Sequence, residues 1–366
     1  MSSQLKGACI FGQSGGPTAV INASMYGVVS AALASENITH VYGAQYGIKG
    51  VLEDKLFDMG AESAEELKLL LNTPSSELGS CRYKIAEPEV DDSDYKRILE
   101  VFKKYDIRYF FYNGGNDSMD TCNKISRYMS SVGYECRVIG VPKTIDNDIC
   151  YIDKTFGFET AVYATNPMIT VAHNEAKGAP NGVGLIHVMG RDSGFIAAYS
   201  SLANPHINYC LVPEVKFTLE GEPDSFFPIL HDRLKRRHHA VIIVAEGAGQ
   251  ELMKGERQVD KSGNLLNNNI GVFIRGKMKE YFKKQNFEIN IKYFDPTYLI
   301  RGIPANGTDA VFCLLLAQNA VHAAMAGKTD LLIGHWSDVF THVPIEMATK
   351  QRKKIDPNGS LWRCVQ

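Results

Sequence analysis

Along this chain a short apolar run, a glycine-rich or polar turn and a longer helix-patterned stretch recur in that order. The alternation is that of βαβ units, which lay parallel strands in one sheet with helices on its faces. The runs Ala8–Phe11, Val41–Ala44, Tyr109–Tyr112, Arg137–Val141, Gly184–Met189, Tyr209–Val212, Ala240–Ala245 and Leu331–Gly334 are largely continuous rather than alternating, as strands buried on both faces require. At 366 residues the chain exceeds what one core fills, so two domains are expected. The predicted fold is α/β, with two Rossmann-like α/β/α domains and mostly parallel sheets.

Five runs lead directly into such turns: ACIFGQSGGPTAVINAS, YFFYNGGNDSMDTCNKISRYM, VIGVPKTIDND, LIHVMGRDSGFIAAYSSLA and VIIVAEGAGQ. One such turn is ordinary strand-to-helix punctuation. Five at the carboxyl ends of strands in open α/β sheets are expected to converge on one ligand cleft. Charge narrows the ligand: a net −2 leaves no basic field for nucleic acid or a membrane surface, yet a compact anion needs only a few local cations. With 45% hydrophobic and 22% charged residues the composition is that of a globular protein. No stretch reaches the roughly 18 uninterrupted apolar residues of a membrane helix, and MSSQLKGACIFGQSGG has no charged n-region before a long apolar run. A cytoplasmic protein with no nucleic-acid or membrane partner is expected.

The eight cysteines, Cys9, Cys81, Cys122, Cys136, Cys150, Cys210, Cys313 and Cys364, form no Cys-x-x-Cys pair. They read as reduced, mostly buried small hydrophobes rather than a zinc site or a disulfide framework. The polar stretch Met253–Asn269 reads as a surface excursion, and the basic KQRKKIDPNG after Thr349 as a solvated helix end.

The turns also carry candidate phosphate chemistry. Glycines at a helix N-terminus free backbone N–H groups for phosphate oxygens, and Gly15, Gly16 and Gly115 are so placed, with Asp117 adding a carboxylate beside them. SGG lacks the Gly-Lys-Ser/Thr ending of a P-loop. In PKTIDND, Asp146 and Asp148 alternate along an extended loop and so point to one side. One can take the proton of an attacking hydroxyl while the other helps hold Mg²⁺, and Lys143 can neutralise phosphate charge. Arg82, Arg191, Lys292 and Arg301 lie in loops or near strand ends as candidate cations for a sugar phosphate. Glu246 ends a buried strand, where a bare carboxylate is costly; sugar hydroxyls would satisfy it, and so would an ion pair or a capping bond.

The segments GQSGG, LGSCR, GGNDS, PKTIDND, MGR, VAEGAG and YLIRG, in this order and over nearly the whole chain, resemble the phosphofructokinase family and in particular its pyrophosphate-dependent type. The resemblance implies the phosphofructokinase fold, with residues 1–160 and about 300–349 as a phosphoryl-donor domain and about 161–299 with 350–366 as a fructose 6-phosphate domain. It implies that Asp146 is the general base, that Asp148 supports it, and that Thr144 contacts the transferred phosphate. Gly16, Arg82, Gly115, Asp117 and Ser118 match donor-phosphate positions. Met189, Gly190 and Arg191 match positions that meet the sugar phosphate, Glu246 its hydroxyls, and Lys292, Tyr298 and Arg301 its 6-phosphate. Mg²⁺ would be held by Asp117 and Asp148, with Asn116 where the family usually has a metal-binding Asp. A homodimer or homotetramer is implied.

The resemblance also addresses the donor. ATP-using members usually have GGDG, whose last glycine leaves room for the nucleotide's α-phosphate; this chain has Asp117 there. A carboxylate fills that space and repels the α-phosphate. Lys143, where bacterial ATP-using members commonly have Gly, adds charge for a leaving phosphate, although Lys also occurs here in the plant and trypanosome ATP-using branch, which TFGFETAV through VAEGAGQ resembles. The expected activity is reversible phosphoryl transfer from pyrophosphate to the 1-hydroxyl of fructose 6-phosphate, in glycolysis or gluconeogenesis. The alternatives are an ATP-dependent 6-phosphofructokinase and, resting on Asn116, a non-catalytic regulatory subunit that binds sugar phosphate.

Overall fold

The computed structural model describes residues 5–253 and 267–366, so residues 254–266 of the expected Met253–Asn269 excursion lie outside the described residues. The chain forms two compact units. One runs up to Ile145 and adds Ile149–Glu159 and Arg301–Arg352; the other comprises Asp146–Asp148, Thr160–Ile300 and Lys353–Gln366. Among the described residues the strands are β1 (Gly7–Gln13), β2 (Ile38–Ala44), β3 (Leu56–Asp58), β4 (Ile107–Gly114), β5 (Arg137–Pro142), β6 (Gly182–Val188), β7 (Tyr209–Leu211), β8 (His239–Ala245), β9 (Asn290–Phe294), β10 (Leu331–Trp336) and β11 (Val339–Pro344).

In the first unit seven strands lie in the order β11-β10-β5-β4-β1-β2-β3. The five central strands are parallel, and β3 and β11 add antiparallel edges. Both faces of the centre are covered, which is why β1 is buried at every position and reads as unbroken apolar sequence. Cys9, Phe11 and Phe111 pack on one face with the helices Ile21–Leu33 and Gly307–Met325. Ile10, Phe110 and Tyr112 pack on the other with the helices Ser93–Lys104 and Asn116–Ser131. Each large side chain buried in this way contributes roughly 1.5–3 kcal/mol. The helix Gly307–Met325 has the length and apolarity of a membrane span, but its Leu316, Ala317, Ala320 and Ala324 lie in this core.

In the second unit β7-β8-β6-β9 form a wholly parallel sheet. Val183, Leu185, Ile242 and Val244 face the helices Phe226–Arg237 and Ile270–Lys284 through Phe227, Leu230, Ile274 and Phe282. The helix Phe158–Lys177 covers the opposite face so closely that a Cβ on Gly184 would stand 2.8 Å from the Ala172 carbonyl oxygen.

All eight predicted runs are strands, with Met189 and Val212 one residue past the ends of β6 and β7. Sequence periodicity missed β3, β9 and β11. β11 has three exposed residues of six and β9 is only partly buried with Lys292 at its centre, so neither carries an unbroken apolar run. The β10–β11 hairpin turns on Ser337 and Asp338 at φ of 47° and 64°, the left-handed pair that a two-residue connection requires. The cysteines are unbridged; Cys81 and Cys210 are half-buried, Cys364 is exposed and the other five are buried.

Candidate active site

Three of the expected loops follow β1, β4 and β5, which are neighbours in the first sheet, and so open at one edge of that unit. Gln13 at the end of β1 is fully buried. Its Nε2 donates to the Ile21 carbonyl at 3.3 Å and to Asn22 Oδ1 at 2.8 Å, while its Oε1 accepts from Ser76 Oγ at 2.7 Å and the Leu78 N–H at 3.1 Å. Four bonds on one amide fix the entry to Ser14-Gly15-Gly16. Gly15 then turns at φ of 80°, open to glycine at little cost. Lys143, buried after β5, donates Nζ to the Gly16 carbonyl at 2.7 Å. A Cβ on Gly15 would lie 3.1 Å from that Nζ, and one on Gly16 would lie 3.6 Å from Arg301 Nη2. Two cations therefore flank the glycine turn. Arg82 is exposed and follows Cys81, whose backbone bridges Ser14 in parallel register, so LGSCR runs alongside the same turn.

Gly115 precedes the helix Asn116–Ser131, and its carbonyl accepts from the Ser118 N–H at 3.0 Å. Asn116 and Ser118 are buried, whereas Asp117 is exposed in the first turn, where the helix dipole favours an anion. Arg352 Nη2 stands 3.6 Å from Asp117 Oδ1. The tail after Thr349 is thus not simply a solvated helix end. The Gln351 carbonyl accepts from Cys150 Sγ at 3.2 Å, Arg352 bridges Ile149 in antiparallel fashion, and the Lys353 N–H donates to the Asp148 carbonyl at 2.8 Å. These partners lie about 200 residues away along the chain, beyond any local pattern. Thr144 is held through its carbonyl, which accepts from Thr155 Oγ1 at 2.6 Å.

In the second unit Asp146 meets the strand ends of β6 and β8. Its carboxyl is pushed up from 3.8 to about 7, first by burial, then by the negative charges of Asp148, Glu246 and Asp192, with a backbone hydrogen bond from Arg191 acting the other way. Ser193 Oγ donates to the Asp146 carbonyl at 3.0 Å. The Glu246 N–H donates to Val188 O and the Gly247 N–H to Gly190 O, both at 2.9 Å, so Met189-Gly190-Arg191 and Glu246-Gly247 run side by side. A Cβ on Gly247 would stand only 2.0 Å from the Arg191 carbonyl oxygen, so no larger residue fits.

The other three residues expected at the 6-phosphate lie on β9 and on the short helix Thr297–Gly302. Lys292 pairs in register with Gly184, five residues before Met189 and roughly 16 Å from it along the strand, and its Nζ is 3.9 Å from Glu175 Oε2. Tyr298 is 85% exposed on the short helix Thr297–Gly302, and Arg301 belongs to the first unit beside Gly16. The start of that helix is anchored by a contact the sequence did not suggest. His187 Nδ1 lies 3.2 Å from Asp295 Oδ2, and Asp295 Oδ1 accepts from Thr297 Oγ1 at 2.6 Å.

The phosphofructokinase family model matches residues 9–324. This chain belongs to the phosphofructokinase family. It is 40% identical over 338 residues to an ATP-dependent 6-phosphofructokinase of Borreliella burgdorferi, covering 90% of this chain and 73% of that one. It is 37% identical over 329 residues to the chloroplastic ATP-dependent 6-phosphofructokinase 5 of Arabidopsis thaliana, covering 90% of this chain but only 59% of the relative. A crystal structure of a pyrophosphate-dependent phosphofructokinase from Marinobacter aquaeolei superposes with a TM-score of 0.81 at 28% identity, covering 99% of this chain and 90% of that one. The mixed α/β fold with mostly parallel sheets is therefore that of phosphofructokinases.

Phosphofructokinases act with Mg²⁺, and the donor set can be tested against that ion. Mg²⁺ takes hard oxygen ligands, keeps several waters and is commonly held by one or two carboxylates plus substrate phosphates. Asp148 lies in the second unit among the charges that raise the Asp146 carboxyl and Asp117 is exposed in the first, both hard oxygen donors of the kind Mg²⁺ takes. Among the described residues no group of three or more His, Cys, Asp or Glu side chains is gathered so as to hold a metal ion.

Proposed function

We propose that this phosphofructokinase moves a phosphoryl group from inorganic pyrophosphate to the 1-hydroxyl of fructose 6-phosphate, giving fructose 1,6-bisphosphate and phosphate. The acceptor rests on the family; the donor rests on Asp117. That carboxylate occupies the first turn of the helix that opens on Gly115, where the family's ATP-using members usually have glycine. There it takes the space of a nucleotide's α-phosphate.

The chemistry asks for positioning and charge neutralisation more than for covalent help. The N–H groups of the Gly15-Gly16 turn and of Gly115, with Lys143 and Arg82, carry the donor phosphates, and Lys143 neutralises the leaving phosphate. Asp146 takes the proton of the 1-hydroxyl as general base, and its raised proton affinity suits that task near neutral pH. Arg191 and Glu246 hold the sugar phosphate and sugar hydroxyls, with Arg301, Lys292 and Tyr298 as further candidates for the 6-phosphate. Mg²⁺, held by Asp148 and Asp117, would supply charge neutralisation on the transferring phosphates. We further propose a homodimer or homotetramer and a reaction that runs in either direction.

The ATP-dependent reading is favoured by a specific observation, the names carried by the Borreliella and Arabidopsis relatives. One assay separates the two: fructose 1,6-bisphosphate formation with fructose 6-phosphate and Mg²⁺, pyrophosphate and ATP being supplied separately. Turnover with pyrophosphate alone is expected. Turnover with ATP alone would replace this reading with the other.

A further inference from the structure

The basic run Lys350–Lys354 has no part in the scheme above, yet its members differ sharply in what holds them. Lys350 pairs with Glu346 at 3.1 Å on the open surface, both side chains about two-thirds exposed or more. Such a pair contributes little. Arg352 instead springs from clamped backbone: it bridges Ile149, the preceding Gln351 carbonyl accepts from Cys150 Sγ, and the following Lys353 N–H donates to the Asp148 carbonyl. Further along, the Ile355 N–H donates to Glu214 Oε1 at 2.9 Å. The base of the Arg352 side chain is therefore fixed by bonds that do not involve its guanidinium, and that guanidinium stands 3.6 Å from Asp117 Oδ1.

We propose that Arg352 is a positioning and specificity-determining residue that cancels the charge of Asp117 while leaving its volume in place. The inference rests on the reading of Asp117 as the donor gate. A bare carboxylate at that position faces a difficulty: it must exclude the bulk of a nucleotide without repelling pyrophosphate, which is itself highly charged. A cation beside Asp117 removes the difficulty. At 3.6 Å the contact is long for a hydrogen bond, so its effect is chiefly that of opposite charges in partial contact with water. Asp117 then rejects ATP mainly by the space it fills, and pyrophosphate meets a nearly neutral pair.

The test is a double-mutant cycle on the full chain, reading KM for pyrophosphate and KM for fructose 6-phosphate in Arg352→Ala, Arg352→Lys, Asp117→Asn and the double variant Asp117→Asn/Arg352→Ala. Arg352→Ala should raise KM for pyrophosphate about tenfold and leave KM for fructose 6-phosphate within about twofold, as expected for one uncovered charge near a partly solvated site. Arg352→Lys should recover most of the loss. In the Asp117→Asn background, where volume stays and charge is gone, Arg352→Ala should have no further effect. An equal penalty in both backgrounds, parallel loss of both KM values, or no change in either would overturn the proposal. A merely structural role would not produce this split, because the backbone bridge to Ile149 survives every one of these substitutions. Should the unmodified enzyme turn over ATP alone, the pyrophosphate reading falls, and the same cycle read on KM for ATP still decides whether Arg352 acts through Asp117: coupling supports it and additivity ends it.

Discussion

The donor loops of the first unit and the acid cluster of the second treat charge in opposite ways. In the first unit the cations have partners: Lys143 is bonded to the Gly16 carbonyl and Arg352 faces Asp117. Asp146 is buried with like charges near it, and burial first and those charges second raise its carboxyl to about 7. A surface that must receive a polyanion works best when its dipoles and cations are fixed beforehand, since nothing then has to reorganise during transfer. A group that must accept a proton works best when its charged form is held at a disadvantage. The two regions are therefore tuned toward different ends, and each can be broken separately.

Breaking the acid cluster should have the largest effect. Asp146→Asn should lower kcat by roughly 10²–10⁴-fold while fructose 6-phosphate still binds, read by steady-state kinetics and by titration calorimetry. Unchanged turnover would remove Asp146 from the general-base role. The same substitution should raise thermal stability near pH 8. A carboxyl whose folded pKa is raised from 3.8 to about 7 gives stability that is present below pH 4 and lost as pH rises through 7, and asparagine has no charge to bury. In the unmodified enzyme activity should fall as pH drops through about 7, because the base must be deprotonated; a flat profile from pH 5 to 8 would contradict this.

Two substitutions test whether the donor side is preset. Lys143→Met removes a buried cation bonded to Gly16 and should reduce kcat/KM for pyrophosphate by roughly 10²-fold, more than it changes KM for fructose 6-phosphate. Equal losses for both substrates would mean that Lys143 only holds the loop. Asp117→Gly should admit ATP at a rate at least about tenfold above the unmodified enzyme, as expected when a clash is removed. If ATP is still refused, Asp117 is not the steric filter.

What the sequence disclosed follows the same division. Phe111, Cys9 and Ile242 sit in unbroken apolar runs, and such runs report burial on both faces directly. Asp146, Asp148, Lys143 and Glu246 stood out as candidates because a charged residue at or just past the end of a buried strand has few inexpensive explanations. Arg352 was not legible: a basic residue in a basic run looks solvated, and its clamp on Ile149 depends on chain return over some 200 residues. β9 escaped because Lys292 interrupts its apolar residues. Local pattern reveals what a residue is buried against in its own strand, not which distant segment comes back to meet it.

Lys292 provides the smallest and most discriminating expectation. It lies in mid-strand beside Gly184, its Nζ stands 3.9 Å from Glu175 Oε2, and both side chains are more than a third exposed. A pair of that kind is worth roughly 0–1 kcal/mol, so Lys292→Ala should leave stability within that range. If the 6-phosphate is held by Arg191, KM for fructose 6-phosphate should rise less than about threefold in Lys292→Ala, well below the loss for Arg191→Ala, where a bidentate cation is removed. A rise of 100-fold or more would instead place Lys292 in direct contact with the phosphate.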